Sequence, residues 1–600
     1  MRLVELVAGE ETLPEVLERV TDFNDLRMGK TVIRCADRPG FIGNRLGVFW
    51  MQLALREAVA LGLTVEEADA VMRVCGFPKT GVFGLWDLVG IDLMPSAVAS
   101  LGALLPPEDD FAAVAEIDAT VRGMLDKGYK GRKGSTLQGF YRQFKDASGR
   151  RVRETIDLET LEYRAPREVA LASAALKPEQ LAELLACDDK GGRYAWRVLS
   201  QVLHYATKLI PDVAADVDAF DQAMKLGYNW TWGPFGMIDR IGVSAFVARL
   251  TTDGVAVSEF HSRAEGRPVY RQEGGGDQAL DASGEYRPVA RPKGMLRWSD
   301  VRRGTPVRRG RHSMLWDLGD EVWCLEFTGR VPALNLELLG EIRAALDEAI
   351  AASKALVFFN EGPVFAAGAD LKQVLAIVDQ AGEVERFIST GQRLFVDLQR
   401  APVPVVGALT GSALAGGLEL LLHCHAIQAH AESTMGLVEA QVGIVPGWGG
   451  CREMLARSVA KVGAGQAIAH CFDLLRTCKV SASALEAQAV GFLCERDAIT
   501  MNFDRVLFDA KEKAIALRGV TPVPVFPPAL SAPEGVVACG EGYQRELEQA
   551  LLELLCRATG SDWYEHFLDH ERATDVSLFA RPEAQARIRH LMETGKPLVN

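Results

Sequence analysis

The sequence predicts a protein of several domains, with an all-α half built from a duplicated helical unit and an α/β domain after it. Three observations support this prediction. The chain has 600 residues, which is too long for a single hydrophobic core. Its N-terminal half repeats one helical pattern with the same spacing at both ends. Its C-terminal half carries three loops rich in glycine and alanine within one domain's length, and two of them hold a glutamate.

The repeat in the N-terminal half is visible in two pairs of segments. Phe41-Ile-Gly-Asn-Arg45 begins a long apolar helix, which leads to Phe83-Gly-Leu-Trp-Asp87. Tyr194-Ala-Trp-Arg197 begins a similar helix, which leads to Phe235-Gly-Met-Ile-Asp239. The distance along the chain from the first copy to the second is 152 residues at both the arginines and the aspartates. We expect the two copies to bury their apolar faces against each other.

Three loop segments in the C-terminal half suit the binding of a carbonyl oxygen. They are Val364–Lys372, Gly407–Glu419 and Met435–Gly450. Ala369 and Gly416 are candidate N–H donors, because small side chains let the backbone approach a ligand closely. Gly416 also precedes the apolar run Leu418–Leu422, which predicts a helix. The N-terminus of a helix favours developing negative charge.

The two glutamates in these loops, Glu419 and Glu439, are candidates for proton transfer. Two carboxylates that converge on one water tend to have different pKa values, which suits separate base and acid roles. Adding water to a double bond next to a thioester needs such a pair, together with N–H donors for the charge that builds on oxygen. Each segment alone is also typical of a packed turn or of an acid at a helix start. Their joint occurrence in one domain favours an active site.

Residues 310–525 resemble the enoyl-CoA hydratase (crotonase) family, which implies an α/β fold of the ββα-spiral type. The segment Phe365–Lys372 matches that family's first oxyanion loop. The resemblance makes Ala369 the first N–H donor and Gly416 the second. It implies that the thioester C=O of a trans-2-enoyl-CoA is held by both donors during syn hydration, and that hydration requires no cofactor.

The same resemblance assigns roles to further residues. Glu419 takes the position of the glutamate that activates water, and Glu439 that of the glutamate that exchanges a proton with the carbon next to the thioester. Four residues lie where the family contacts substrate or coenzyme A: Ala367, Asp370, Leu371 and Lys372. One departure is His423-Cys-His425, where hydratases more often carry an aspartate shortly after the helix.

The helical repeats resemble the C-terminal domains of 3-hydroxyacyl-CoA dehydrogenases. The segments Pro39–Arg45 and Lys133–Tyr141 carry this resemblance. Asn44 takes the position that touches the substrate in that family. With the hydratase part at the C-terminus, the chain is similar to bifunctional proteins of fatty acid β-oxidation that place the dehydrogenase first. The resemblance therefore also implies oxidation of the 3-hydroxyacyl product with NAD.

The N-terminal residues 1–37 resemble the last strand–helix–strand of that family's NAD-binding domain, and we expect the body of this domain to be absent. The sequence contains no Gly-x-Gly-x-x-Gly. Glu5 matches the glutamate that orients the catalytic histidine, but residues 1–200 contain no histidine. Two explanations fit: a start assigned downstream of the natural one, or natural loss of the domain body. We expect this chain neither to bind NAD nor to oxidise 3-hydroxyacyl-CoA.

The predicted domain organisation follows from these assignments and from the linkers. Gly, Arg, Asp and Pro are enriched in 264–292, which indicates a loop or linker. The C-terminal tail has leucines at helical spacing, which indicates a face for packing against the core or another subunit. The segments are 1–37 (remnant of an NAD-binding domain), 38–145 (first repeat), 146–188 (connecting segment), 189–263 (second repeat), 264–309 (linker), 310–525 (hydratase domain) and 526–600 (helical tail).

Composition restricts the partners. A net charge of −14 and a pI near 5.4 argue against nucleic acid. No stretch reaches the roughly 18 apolar residues of a membrane span. Eleven cysteines without a CxxC pair indicate a reducing cytoplasm. The spacing of His423, His425 and His430 puts them on different helix faces, so we predict no metal site there.

We predict hydration of enoyl-CoA thioesters in fatty acid β-oxidation by an oligomeric protein. Two alternatives remain open from the sequence. One is a double-bond isomerase, which needs a single glutamate, so the presence of both Glu419 and Glu439 favours the hydratase. The other is an assembly subunit whose helical half is a platform for a thiolase partner.

Overall fold

A computed structural model describes residues 2–133, 138–273, 276–329, 331–520, 527–559, 562–598 and 600. The chain forms two compact units. The N-terminal unit contains residues 1–25 and 30–291, and the C-terminal unit contains residues 26–29 and 292–600.

The predicted strand–helix–strand opens the chain. It consists of β1 (Leu3–Val7), α1 (Pro14–Leu26) and β2 (Thr31–Cys35), and the two strands pair in parallel with Leu3 opposite Thr31. Glu5 on β1 accepts the N–H groups of Ile42 and Gly43 with Oε1, at 2.7 and 2.9 Å. Burial raises the pKa of Glu5, and these hydrogen bonds oppose the shift. The carboxyl group therefore lies at the start of the next helix.

Two helical repeats form the core of the N-terminal unit. Their longest helices, α2 and α8, correspond in the sequence repeat. The helices after α1 are α2 (Gly43–Ala60), α3 (Val65–Val74), α4 (Gly81–Val89), α5 (Met94–Leu104), α6 (Ala119–Asp126), α7 (Leu181–Ala186), α8 (Lys190–Lys208), α9 (Val217–Tyr228), α10 (Pro234–Ile241), α11 (Val243–Thr252) and α12 (Glu259–Ala264).

The same buried hydrogen-bond network occurs in both repeats. Asp69 accepts the N–H groups of Phe83 and Gly84 and the hydroxyl of Tyr141. In the second repeat Asp221 accepts the N–H groups of Phe235 and Gly236 and the hydroxyl of Tyr270. Asp69 and Asp221 are 152 residues apart, which is the spacing predicted from the sequence. The duplication is therefore present in the fold and in its polar contacts.

Each repeat ends in a small three-stranded antiparallel sheet, which corrects the prediction of a linker at 264–309. The connecting segment 146–188 and the linker 264–309 both contain strands of these sheets. Glycine-containing turns between short strands gave these segments the composition of linkers. The strands are β3 (Tyr141–Lys145), β4 (Arg151–Ile156), β5 (Tyr163–Arg164), β6 (Tyr270–Glu273), β7 (Gly276–Leu280) and β8 (Tyr286–Pro288).

The segment Lys133–Tyr141, which supported the resemblance to dehydrogenases, lies partly outside the described residues, at 134–137. Its end is described, and there Asp87 accepts the N–H groups of Phe140 and Tyr141 at 2.7 and 2.9 Å. Among the described residues no single helix is long and apolar enough to cross a membrane. The two helices of the bent pair α4–α5 are together long and apolar enough by length and composition alone.

The C-terminal unit contains a seven-stranded sheet and a three-stranded sheet. The order in the large sheet is β18-β16-β14-β12-β11-β10-β9, and in the small sheet it is β13-β15-β17. The strands are β9 (Arg308–Arg309), β10 (Ser313–Asp317), β11 (Val322–Phe327), β12 (Ala355–Phe359), β13 (Val364–Ala366), β14 (Val405–Leu409), β15 (Ser412–Leu414), β16 (Ala426–His430), β17 (Thr434–Gly436) and β18 (Ala498–Thr500).

Successive turns of the chain contribute one strand to each sheet and then continue into helical segments, which is the predicted ββα spiral. Strands β12, β14 and β16 are parallel neighbours in the large sheet, and β13, β15 and β17 are parallel in the small sheet. The helices are α13 (Trp298–Val301), α14 (Leu336–Ala351), α15 (Leu371–Ile377), α16 (Glu383–Gln399), α17 (Gly416–Leu422), α18 (Gly450–Val462), α19 (Ala464–Arg476), α20 (Ala484–Val490), α21 (Val506–Ala516), α22 (Tyr543–Leu555), α23 (Trp563–Phe579) and α24 (Pro582–Thr594).

Candidate active site

The three predicted loops converge because each follows a strand of the small parallel sheet. Ala369 comes three residues after β13, Gly416 two residues after β15, and Glu439 three residues after β17. The carboxyl ends of parallel strands lie at the same edge of a sheet, where ligands commonly bind. The fold therefore brings together residues that are up to 70 positions apart in the sequence.

The backbone N–H groups of Ala369 and Gly416 are close to each other. A Cβ built on Gly416 would lie 3.5 Å from the nitrogen of Ala369. Gly416 is the first residue of α17, so its N–H has no acceptor within the helix. Leu334 exchanges backbone hydrogen bonds with Gly368 and Asp370, the residues on both sides of Ala369. In this bridge the N–H of Ala369 points away from Leu334.

Two features fix the backbone at Gly416. Ala415 has a φ of 49°, which is uncommon for a residue other than glycine and is typical of strained positions at functional sites. Its N–H donates to the C=O of Gly436 on β17, at 2.9 Å, and this bond ties the second loop to the third. A Cβ on Gly416 would lie 2.6 Å from the ring of Trp448, so only glycine fits there.

Glu419 lies in the first turn of α17 and is 2% exposed. Its Oε1 accepts the N–H groups of Trp448 and Gly450, both at 2.8 Å. Burial raises the pKa of Glu419 to about 7, and the two N–H donors oppose this shift because they stabilise the carboxylate. Both bonds fall on one oxygen, which leaves Oε2 for other contacts.

Glu439 begins a short 3₁₀ helix, Glu439–Val442, and is 7% exposed. Among the described residues neither carboxyl oxygen has a hydrogen-bond partner. Burial and the nearby charge of Glu419 raise the pKa of Glu439 well above its usual range. The two glutamates therefore differ: two N–H donors stabilise the anion of Glu419, whereas burial and the charge of Glu419 favour the protonated form of Glu439.

Both glutamates line one cleft in the C-terminal unit, which encloses about 690 Å³ including the space at its mouth. Ala369 and Gly416 line the same cleft. Its wall is largely apolar, as expected of a site for an acyl chain. The apolar residues include Leu371, Phe387, Val438, Ile444, Trp448 and Phe579.

The C-terminal tail forms part of this cleft, in addition to the packing face that its leucines predicted. Asp575 and Phe579 on α23 and Leu591 on α24 line the cleft. Glu571, one turn before Asp575, is fully buried beside it. The helix places Phe567, Glu571 and Asp575 on one buried face at a spacing of four. Acidic residues within an apolar helical stripe were the available sequence signal.

Glu571 orders the loop that holds Glu419. Its two carboxyl oxygens accept the N–H groups of Gly449 and Arg452, and these donors alternate with the Trp448 and Gly450 donors to Glu419. Burial, with the charge of Glu419, raises the pKa of Glu571 well above its usual range. Two carboxyl groups from distant parts of the chain thus share one backbone loop.

We predict that Glu571→Ala lowers the free energy of unfolding of the C-terminal unit by roughly 2–5 kcal/mol, because two buried N–H groups lose their acceptors. Urea denaturation measures this change. Asp569→Ala on the same helix is the control, since that side chain is 70% exposed and its ion pair with Arg572 is therefore expected to contribute little. Equal stability of the two variants would refute the anchoring role of Glu571.

The remaining predicted residues occupy different environments. Ala367 and Leu371 line the cleft. The Asp370 side chain accepts the N–H groups of Lys372 and Gln373, so it caps helix α15. Lys372 is exposed at the start of that helix. In the N-terminal unit Asn44 is exposed in the first turn of α2, and its contact with substrate stays a prediction.

The three neighbouring histidines serve the fold. His423 is buried behind α17, where its Nε2 faces an N–H of Arg452 at 3.2 Å and its Nδ1 lies 2.7 Å from the C=O of Glu419. Because arginine only donates, Nε2 accepts and Nδ1 carries the proton. Burial lowers the pKa of His423 to about 4. His425 accepts the N–H of Val405, and His430 stacks edge-on against Phe503.

Comparison with known proteins decides the family. The profile described as enoyl-CoA hydratase/isomerase matches residues 322–493, and the profile described as 3-hydroxyacyl-CoA dehydrogenase, C-terminal domain, matches residues 40–143 and 192–273. A Bacillus subtilis protein described as a probable 3-hydroxyacyl-CoA dehydrogenase is 31% identical over 632 aligned positions. The match covers 100% of this chain and 79% of that relative. The chain belongs to the bifunctional 3-hydroxyacyl-CoA dehydrogenase and enoyl-CoA hydratase family of fatty acid β-oxidation.

Two further relatives match smaller parts of the chain. A Rickettsia felis protein named for the trifunctional enzyme of the fatty acid oxidation complex is 30% identical, covering 76% of this chain and 60% of that protein. A probable enoyl-CoA hydratase of Bacillus subtilis is 32% identical, covering 23% of this chain and 55% of that protein. The family and fold class predicted from the sequence are confirmed. The dehydrogenase family uses NAD, whereas the hydratase reaction needs no cofactor.

Proposed function

We propose that the C-terminal unit hydrates trans-2-enoyl-CoA thioesters to 3-hydroxyacyl-CoA. The observation that carries this proposal is the pair Glu419 and Glu439 in one cleft with the adjacent N–H groups of Ala369 and Gly416. A thioester oxygen between those two donors would have the charge of the enolate stabilised in place. The two carboxyl groups then supply proton transfer on the same face of the double bond.

Glu419 activates the water in this mechanism. Its Oε1 is held by two N–H donors, so the anion is stabilised and Oε2 can accept a proton from water as the oxygen attacks C3. The electron pair of the double bond moves toward the thioester oxygen, where Ala369 and Gly416 donate. Rigid support of the base by Trp448 and Gly450 keeps its geometry during attack.

Glu439 supplies the proton to C2. Its raised pKa favours the protonated form, and since its oxygens have no hydrogen-bond partner among the described residues, the proton is available for transfer. The charge returns from the thioester oxygen as the C2–H bond forms, and Glu419 passes its proton back to Glu439 through solvent in the cleft. The difference in environment of the two carboxyl groups thus assigns acid and base.

A double-bond isomerase is the competing reaction, and product analysis separates the two. We compare trans-2-hexenoyl-CoA and trans-3-hexenoyl-CoA as substrates. The proposal predicts 3-hydroxyhexanoyl-CoA from the first as the main product. Conversion of the second to the first without hydration would indicate an isomerase that uses one glutamate.

The pH dependence of hydration follows from the two pKa shifts. We predict that kcat/KM falls below about pH 7, because Glu419 is then protonated, and falls again once the pH rises through the raised pKa of Glu439, because that group then ionises. A raised pKa in the folded state means that these groups stabilise the fold at low pH and lose that contribution as pH rises through the folded pKa. The fall of kcat/KM at low pH therefore reflects protonation of Glu419 and not a loss of folding stability from these two groups. A rate independent of pH from 5 to 9 would contradict the assignment.

We propose further that this chain does not carry out the NAD-dependent step by itself. A dinucleotide is bound by the N–H groups of a glycine-rich turn and the following helix, and the sequence contains no Gly-x-Gly-x-x-Gly. We predict no heat of binding for NADH in calorimetric titration and no NADH formation from 3-hydroxybutyryl-CoA and NAD. Micromolar affinity or steady turnover would refute this.

The relative named for a fatty acid oxidation complex supports a proposal about partners. We propose that the product passes to a thiolase subunit, with the helical N-terminal unit as the platform. Co-purification of the two proteins after co-expression would test this contact.

A further inference from the structure

Asp575 is a buried carboxyl group in the acyl cleft that hydration does not use. It lines the cleft with Glu419 and Glu439 and is 2% exposed. Among the described residues its Oδ1 has no hydrogen-bond partner. A buried polar atom without a partner costs roughly 1–3 kcal/mol, so it calls for a ligand or a role.

Gly447 leaves space for the side chain of Asp575. A Cβ on Gly447 would lie 2.3 Å from Oδ2 of Asp575, so the carboxyl group reaches the cleft across a residue without a side chain. Val445 and Phe579 form the apolar surroundings in the same wall. Burial and the charge of Glu419 raise the pKa of Asp575 well above its usual range, while the N–H of Val445 opposes the shift. A protonated carboxyl group can donate with its O–H and accept with its other oxygen.

A role in hydration itself is already filled. In the proposed reaction Glu419 acts as the base, Glu439 supplies the proton, and backbone N–H groups stabilise the oxyanion. Asp575 stands instead on the tail helix, between Glu571, which anchors the loop, and Phe579, which forms apolar wall. A polar group in the apolar wall of an acyl site is suited to recognise a polar group on the acyl chain.

We propose that Asp575 is a specificity-determining residue whose carboxyl group hydrogen-bonds a hydroxyl on the acyl chain beyond C3, so that the cleft takes hydroxylated enoyl-CoA thioesters. This inference rests on the proposed hydration, in which Glu439 acts at C2 of the acyl chain and Glu419 at C3. A hydroxyl can satisfy Oδ1 and receive the carboxyl proton at once. A plain alkyl chain leaves both unsatisfied, and sites built to bind a hydroxyl discriminate strongly against analogues that lack it.

The test compares trans-2-hexenoyl-CoA with its 4-hydroxy, 5-hydroxy and 6-hydroxy derivatives. We expect at least one hydroxylated substrate to exceed the plain one in kcat/KM by about 10-fold or more. Asp575→Leu should reduce that ratio by about 10-fold, and Asp575→Asn, which keeps hydrogen-bonding atoms, should restore part of it. Phe579→Leu changes the same wall without changing its polarity, so it should alter both substrates alike and leave the ratio unchanged.

The outcomes separate this inference from the proposed function. Hydration of plain hexenoyl-CoA without an advantage for any hydroxylated chain would overturn the role of Asp575 and leave the hydratase intact. An equal loss on both substrates in Asp575→Leu would overturn it as well. Absence of hydration of all four substrates by the wild-type protein would overturn both. The comparison of substrates on the wild-type protein needs no variant, so it decides even where Asp575→Leu fails to fold.

Discussion

Glu439→Gln is expected to lower kcat for crotonyl-CoA hydration by about 10²–10⁴-fold with little change in substrate binding, because the amide cannot deliver a proton to C2. Glu419→Gln should have an effect of the same order, since its amide cannot accept the proton of water. Steady-state kinetics with crotonyl-CoA measure both. The two effects should not add in the double variant, because the residues act in one step.

Stability distinguishes lost chemistry from lost structure in these variants. The oxygens of Glu439 have no hydrogen-bond partner among the described residues, so glutamine removes no bond that the fold needs. We expect an unchanged or higher melting temperature. Glu432→Gln is the matched control, because that residue is exposed and lies between the two glutamates in sequence. Near-normal hydration by both active-site variants would show that the catalytic assignment is wrong.

Replacing Ala369 by lactate, which exchanges its N–H for an ester oxygen, is expected to lower kcat by about 10²–10³-fold. The loss of one oxyanion donor costs about 2.7–4 kcal/mol in the transition state. This substitution is cleaner than any change at Gly416, where a new Cβ would meet the ring of Trp448. The side chain and the loop keep their size, so the N–H is the main change.

The same ester at Ala431 is the control for this experiment. The N–H of Ala431 donates to the C=O of Thr500 at 2.9 Å, a structural bond of the large sheet. Its loss should reduce stability by about 1 kcal/mol and leave kcat nearly unchanged. A low kcat in the protein with the Ala431 ester, together with a normal kcat in the protein with the Ala369 ester, would contradict the assignment of the oxyanion donor.

The local patterns in the sequence predicted the duplicated helices and the two glutamates. Asp87 and Asp239 stand 152 residues apart because each binds the backbone at the start of the small sheet of its own repeat. Ala369, Gly416 and Glu439 were recognisable because each follows a strand of the small sheet by two or three residues, in a stretch rich in glycine and alanine. Such features depend on neighbours in the chain, so composition and spacing reveal them.

Contacts between distant segments were not predictable in this way. Asp575 meets Gly447 only after the tail has packed on the spiral, and the acidic residues in the apolar stripe of the tail helix do not indicate which loop they contact. The segment 264–309 was wrongly predicted to be a linker, because its turns contain the same residues as a flexible segment. Tyr270 shows the difference: its hydroxyl donates to Asp221, 49 residues earlier, and fastens the small sheet to the second repeat.

Incubation of the purified 600-residue protein with crotonyl-CoA in H₂¹⁸O, without NAD, tests the central claim most directly. Mass spectrometry of the product locates the new oxygen. The account predicts 3-hydroxybutyryl-CoA with one ¹⁸O at C3, formed at a rate that Glu419→Gln and Glu439→Gln each abolish almost completely. Recovery of unlabelled crotonyl-CoA from the wild-type protein, or a product whose formation survives both substitutions, would contradict it.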